Sequence, residues 1–215
     1  MFEEDFILRM IRMATAAMVQ ILGLKQAGQY QEAQELVDRM LEEVLGLNAE
    51  FVKRLDEDSL LQMLSQSGQL DLDRSVVVAD LFKVEGDLLV EQKQAEQAYL
   101  SYLRALNLYL EVILDRQPSD SFPPDKKIEA LIELLGPYQL PVDTRVSLFY
   151  YQEQTGSYAE AEKTLAGLEG EPGLQDQARR ELASFYARLL QKDDAELERG
   201  GIERGHLIER LESFK

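Results

Sequence analysis

The 215-residue chain contains no cysteine and no tryptophan, and only one histidine and six prolines. Without a thiol there is no disulfide, no thiolate nucleophile and no cysteine-ligated metal. With His206 as the one imidazole, general-base catalysis and multi-histidine metal binding lose their usual residue. Bases are scarce as well: 23 Lys and Arg stand against 40 Asp and Glu, a net charge of −17 and an isoelectric point near 4.5. Such a surface repels a phosphate backbone, whose binding needs clustered cations, so nucleic acid is not an expected partner. Long apolar runs are missing too. Met10 to Leu24 comes nearest, but Arg12, Thr15 and Gln20 interrupt it, and Glu3, Glu4 and Asp5 stand where a secretory signal carries positive charge. The expectation is a cytoplasmic protein without membrane contact.

What is present is an ordinary globular composition, 45% hydrophobic and 29% charged, with a mean hydropathy of −0.28. Apolar residues recur three or four apart in almost every segment, and no stretch sustains a period of two. This predicts an all-α fold of about ten to twelve helices arranged as an α-solenoid of antiparallel hairpins. Helices are expected over Glu4–Gln26, Gln31–Leu45, a stretch from Ala49 that breaks near Asp56 and closes at Ser67-Gly68, Asp73–Glu91, and Gln94–Arg116. Further helices are expected over Asp125–Leu135, Val142–Gln154, Ser157–Leu168, Leu174–Gln191, a short segment ending at Gly200-Gly201, and Glu203–Phe214. The whole of 1–215 reads as one helical-repeat domain, with a subdomain break at the Pro-rich loop 117–124.

Two six-residue motifs repeat. Gly28-Gln-Tyr30-Gln-Glu-Ala33 and Gly156-Ser-Tyr158-Ala-Glu-Ala161 share Gly, Tyr, Glu and Ala at matching positions, each between two helices. In a tight hairpin the glycine takes the left-handed conformation, the tyrosine packs across the turn and the alanine lets the helices approach. A third unit places Phe82, Gly86 and Leu89 on one helix and Ala98, Tyr102 and Ala105 on the next. These patterns resemble the tetratricopeptide repeat, a helix-turn-helix unit of about 34 residues, although Leu110 stands where that repeat carries proline. The start Met1-Phe-Glu-Glu-Asp-Phe-Ile-Leu-Arg-Met-Ile11 and the end Asp193-Asp-Ala-Glu-Leu-Glu-Arg-Gly-Gly-Ile202 also resemble a family of uncharacterised bacterial proteins, which implies no activity.

The tetratricopeptide resemblance implies a concave surface on which amphipathic rings meet a peptide, and Tyr99, Tyr102 and Tyr109 are the expected contact residues. Gly28 to Asp73 holds eleven acids against three bases, a face suited to steering a basic partner. Glu203 and His206 form one Glu-x-x-His half-motif of a di-iron bundle. With no second histidine to complete it, an exposed polar pair is the better reading. The leading expectation is a non-catalytic protein- or peptide-binding module, favouring basic partners and using no cofactor. The alternatives are a self-associating protein that dimerises through Met10, Met13 and Met18 of the first helix, and an enzyme with a carboxylate-bound metal.

Overall fold

The computed structural model describes residues 2–115 and 125–214, and among them the fold is all-α, 78% helical with twelve helices. The loop 117–124 lies outside the described residues. The chain divides into two compact units, Met1–Tyr138 and Gln139–Lys215.

The first unit runs α1 (Phe2–Gln26), α2 (Tyr30–Leu45), α3 (Ala49–Val52), α4 (Glu57–Met63), α5 (Leu72–Glu91), α6 (Ala95–Asp115) and α7 (Asp125–Leu135). The break expected near Asp56 is an N-cap: the Asp56 carboxylate accepts from the Ser59 amide at 2.8 Å. That bond favours the charged carboxylate and holds the Asp56 pKa below its ordinary value. Ser67-Gly68 does not close a helix. Both residues have positive φ, 54° and 82°, and form the two-residue turn of a small hairpin pairing Ser65–Gln66 with Gln69–Leu70.

The α5–α6 hairpin is the centre of this unit. Phe82, Ala98 and Ala105 are buried between its arms and their neighbours. Three carboxylates on α5 accept from three hydroxyls on antiparallel α6: Asp80 from Tyr109 at 2.5 Å, Glu85 from Ser101 at 2.9 Å and Asp87 from Tyr102 at 2.9 Å. Helix α1 buries Met10, Ala14, Ala17 and Ile21 and packs on α2 and α5. Met10 therefore belongs to the core, and Met13 and Met18 are half-buried, which corrects the dimer face expected from Met10, Met13 and Met18. A helical wheel of so apolar a segment does not tell which side turns inward.

The second unit runs α8 (Val142–Gln154), α9 (Tyr158–Ala166), a 3-10 turn (Gly167–Gly170), α10 (Gln175–Leu189), α11 (Asp194–Arg199) and α12 (Arg204–Glu212). Its core gathers Phe149, Leu165, Leu168, Leu182, Phe185, Tyr186 and Leu207 with smaller residues. Tyr158 packs across its turn onto Gly200, where a Cβ would lie 2.2 Å from the ring, and its hydroxyl donates to Glu196 at 2.7 Å.

The repeated motifs adopt one turn. Gly28 and Gly156 have φ of 73° and 79°, and the following residues, Gln29 and Ser157, share φ near −85° and ψ near 61°. The amides of Gln29 and Ser157 reach back to the carbonyls of Leu24 and Gln152 at 2.9 and 2.8 Å. Ala33 and Ala161 are fully buried, and Tyr30 is half-buried. A third copy joins α5 to α6: Lys93 has φ 62°, Gln94 reaches back to Leu89 at 2.9 Å, and Ala98 stands where Ala33 and Ala161 do.

Candidate functional site

The three tyrosines expected at a groove have different fates. Tyr109 has no exposed surface. Burial, then the Asp80 charge, drives its pKa well above the usual tyrosine value, and Lys127 neutralises Asp80 at 2.6 Å. Tyr102 is 6% exposed, and burial followed by Asp87 raises its pKa in the same way. Both rings belong to the core and offer a partner no face, because each hydroxyl is spent on a carboxylate of α5. Tyr99 alone of the three is half-open, its ring tilted against that of the exposed Tyr138 with centroids 4.7 Å apart.

The acidic segment is only partly a free surface. Asp56 and Asp71 cap helices, Glu42 accepts from the Ala49 amide at 3.1 Å, Glu57 accepts from Asn107 at 2.5 Å, and Asp38 binds Lys53. Lys53 also reaches Glu85 at 2.5 Å, a carboxylate 4% exposed that accepts from Gln34 at 2.9 Å as well. Burial lowers the Lys53 pKa, but Glu85 and Asp38 together outweigh it and the net direction is upward. This network joins α2, α5 and α6 to the end of α3. Ser101 donates to a neutralised carboxylate there, which gives no activated nucleophile. The signal available in the sequence for Glu85 was its place on the apolar face of α5, one turn from Phe82 and Leu89.

The second unit carries the surface best suited to a ligand. A groove of about 350 Å³ runs between α8 and α10, lined by Val142, Val146, Phe149 and Tyr150 on one side and by Leu174 and Ala178 on the other. Phe149, Leu165, Leu168 and Ala178 are buried and form its floor, while Val142, Val146, Tyr150 and Leu174 are its open apolar surface. The lining recurs at helical spacing on α8 because residues four apart share a face. Asp143 and Glu181 stand among these residues; Glu181 already accepts from Arg188 at 3.0 Å, so the negative charge beside the apolar surface is chiefly that of Asp143. Tyr150 is exposed and packs on Phe149 at 5.0 Å. Burial, and next the nearby Glu181, raises its pKa. Two larger clefts of this unit, about 570 and 510 Å³, are lined mainly by charged and polar side chains. In the first, Arg188 is already forked onto Glu153 at 2.7 and 2.8 Å.

His206 is exposed and lies 2.8 Å from Glu162, which also accepts from the Tyr186 hydroxyl at 2.6 Å. Its contact is thus with α9 and not with Glu203. Among the described residues no three His, Asp or Glu side chains converge as a metal site, and no helix is long and apolar enough to cross a membrane. A family described as a family of unknown function, DUF6483, matches residues 1–215. No curated protein and no solved structure matches the chain.

Proposed function

Because the chain belongs to the DUF6483 family, which brings no activity with it, we propose from the site itself that the protein is a non-catalytic binding module. Its ligand is a protein or peptide segment that presents apolar side chains next to Lys or Arg. The observation that carries this is the α8–α10 groove: Val142, Val146, Tyr150 and Leu174 stand open over a buried apolar floor, with the Asp143 carboxylate beside them. Its volume lies at the lower end of the range of about 300–1,000 Å³ for ligand pockets, which suits a few side chains of a helix or strand better than a cofactor. Tyr150 supplies amphipathic contact area at small entropic cost. The threefold recurrence of one hairpin turn, at Gly28, Lys93 and Gly156, supports a tetratricopeptide-like scaffold, an architecture that serves recognition by extended surfaces. A cytoplasmic location is part of the same reading.

The test is titration of a labelled amphipathic peptide, with Leu at every third or fourth position and Lys or Arg between, read by fluorescence anisotropy. Binding should weaken as salt is raised and fall at least about tenfold in Val146→Glu, which places a charge on the apolar wall. Affinity indifferent to both salt and Val146→Glu refutes the groove reading.

A further inference from the structure

We infer that the outer face of α1 is a homodimer interface in which two copies of the helix cross antiparallel about Thr15. The buried face, Met10, Ala14, Ala17 and Ile21, is satisfied by the core of the first unit. The opposite face is also apolar: Leu8, Ile11, Val19 and Leu22 are between 36% and 68% exposed. A helix that packs on one side and faces water on the other needs one apolar stripe; α1 has two.

The spacing of the second stripe identifies its occupant. From Leu8 the steps through Ile11, Thr15, Val19 and Leu22 are three, four, four and three residues, a sequence of steps that reads the same in both directions. A two-fold axis at Thr15 therefore sets Leu8 against the partner's Leu22 and Ile11 against the partner's Val19, and the reciprocal contacts follow, as an isologous interface requires. A parallel pair would instead set every residue of the stripe against its own copy. The axis falls on a small residue whose hydroxyl is already bonded to the Ile11 carbonyl at 2.8 Å, so no polar group is stranded where the helices come closest. Ala16 flanks it, and beside Gly23 nothing lies within 4 Å of an added Cβ. Charge agrees with the same direction: antiparallel pairing places Arg12 opposite Met18, whereas parallel pairing places it opposite another Arg12 and repels. The stripe from Leu8 to Leu22 is about 21 Å long at 1.5 Å per residue.

The absence of cysteine makes the geometry directly readable. In the full chain, oxidised Thr15→Cys should form a disulfide-linked dimer, because residues on the axis face their own copies. Leu8→Cys/Leu22→Cys should cross-link, and Leu8→Cys alone should not. The unsubstituted protein should sediment at twice 24.6 kDa as concentration rises, and Val19→Glu should return it to monomer with an unchanged far-UV circular dichroism spectrum. Should Val19→Glu fail to fold, the cross-linking pattern decides alone. The inference is overturned by a monomer throughout the concentration series, by cross-linking of Leu8→Cys alone, or by a monomer that binds anionic vesicles through this stripe.

Discussion

Replacing Gly86 by alanine isolates the contact on which the central hairpin closes. Gly86 lies inside α5, and a Cβ there would sit 2.4 Å from Cε1 and 2.5 Å from Cδ1 of Tyr102, far within the 3.5–4.0 Å at which carbon atoms rest. The ring has little freedom to retreat, since its hydroxyl is bonded to Asp87 and Asp87 is held by Lys83 at 2.7 Å. Forcing a methyl into a packed contact costs about 1–3 kcal/mol, and losing the hydroxyl bond adds about 1 kcal/mol. Against this, alanine in a helix interior is favoured over glycine by about 1 kcal/mol. The net expectation for Gly86→Ala is a loss of about 1–3 kcal/mol. In a Tyr102→Ala background the clash is gone and only the helix preference is left, so the same substitution should stabilise by about 0.5–1 kcal/mol. The sign should therefore invert between the two backgrounds. Urea unfolding followed by far-UV circular dichroism, completed as a double-mutant cycle, measures this. A Gly86→Ala protein more stable than the parent, or equal effects in both backgrounds, refutes the claim that the ring is fixed.

Other substitutions test separate features. Lys93 holds the left-handed conformation that glycine holds at the two sister turns, so Lys93→Gly should raise stability by about 1 kcal/mol; an unchanged urea midpoint speaks against backbone strain there. Removing Lys53 leaves Glu85 buried without its cation, and Lys53→Ala should cost about 2–4 kcal/mol, most of it recovered when Glu85→Gln is added; no recovery refutes the charge argument. Tyr186, pushed up to about 12 by burial and by its bond to Glu162, stays neutral in the fold while an unfolded tyrosine ionises near 10. Its contribution is complete below about pH 10 and is lost as the pH rises toward about 12. Urea midpoints across that window should fall less steeply in Tyr186→Phe, and identical slopes would count against this assignment.

Local chemistry made part of this structure legible in the sequence. Gly28 and Gly156 were readable as hairpin turns because few other residues accept positive φ, and Asp56 as a cap because an acid preceding a helical period has little else to do. The third turn escaped, since lysine carries no sign of a left-handed backbone. Tyr102 and Tyr109 misled for a related reason: a tyrosine is equally suited to a wet groove or to a core that offers its hydroxyl a carboxylate. Asp80 and Asp87 on the neighbouring helix decide between the two, and spacing within one helix does not show them. The α8–α10 groove was hidden more completely. Val142 and Val146 look like core residues, and that they stay half-open depends on the distance between two helices far apart in the chain.

The three hydroxyl–carboxylate bonds between α5 and α6 bear on how the chain rejects wrong structures. Aliphatic contact is indifferent to sliding, and two long apolar faces displaced by one turn, about 5.4 Å, still cover most of each other. The bonds from Tyr109, Ser101 and Tyr102 do not tolerate such a shift. One step along the helix breaks all three bonds at once, each to a charged acceptor and so worth about 1.5–3 kcal/mol, which sets a slipped hairpin several kcal/mol above the native one. Leucine and valine make the hairpin compact, while two tyrosines and a serine choose its register, so a core stripped of these polar groups should collapse as readily and misalign more often.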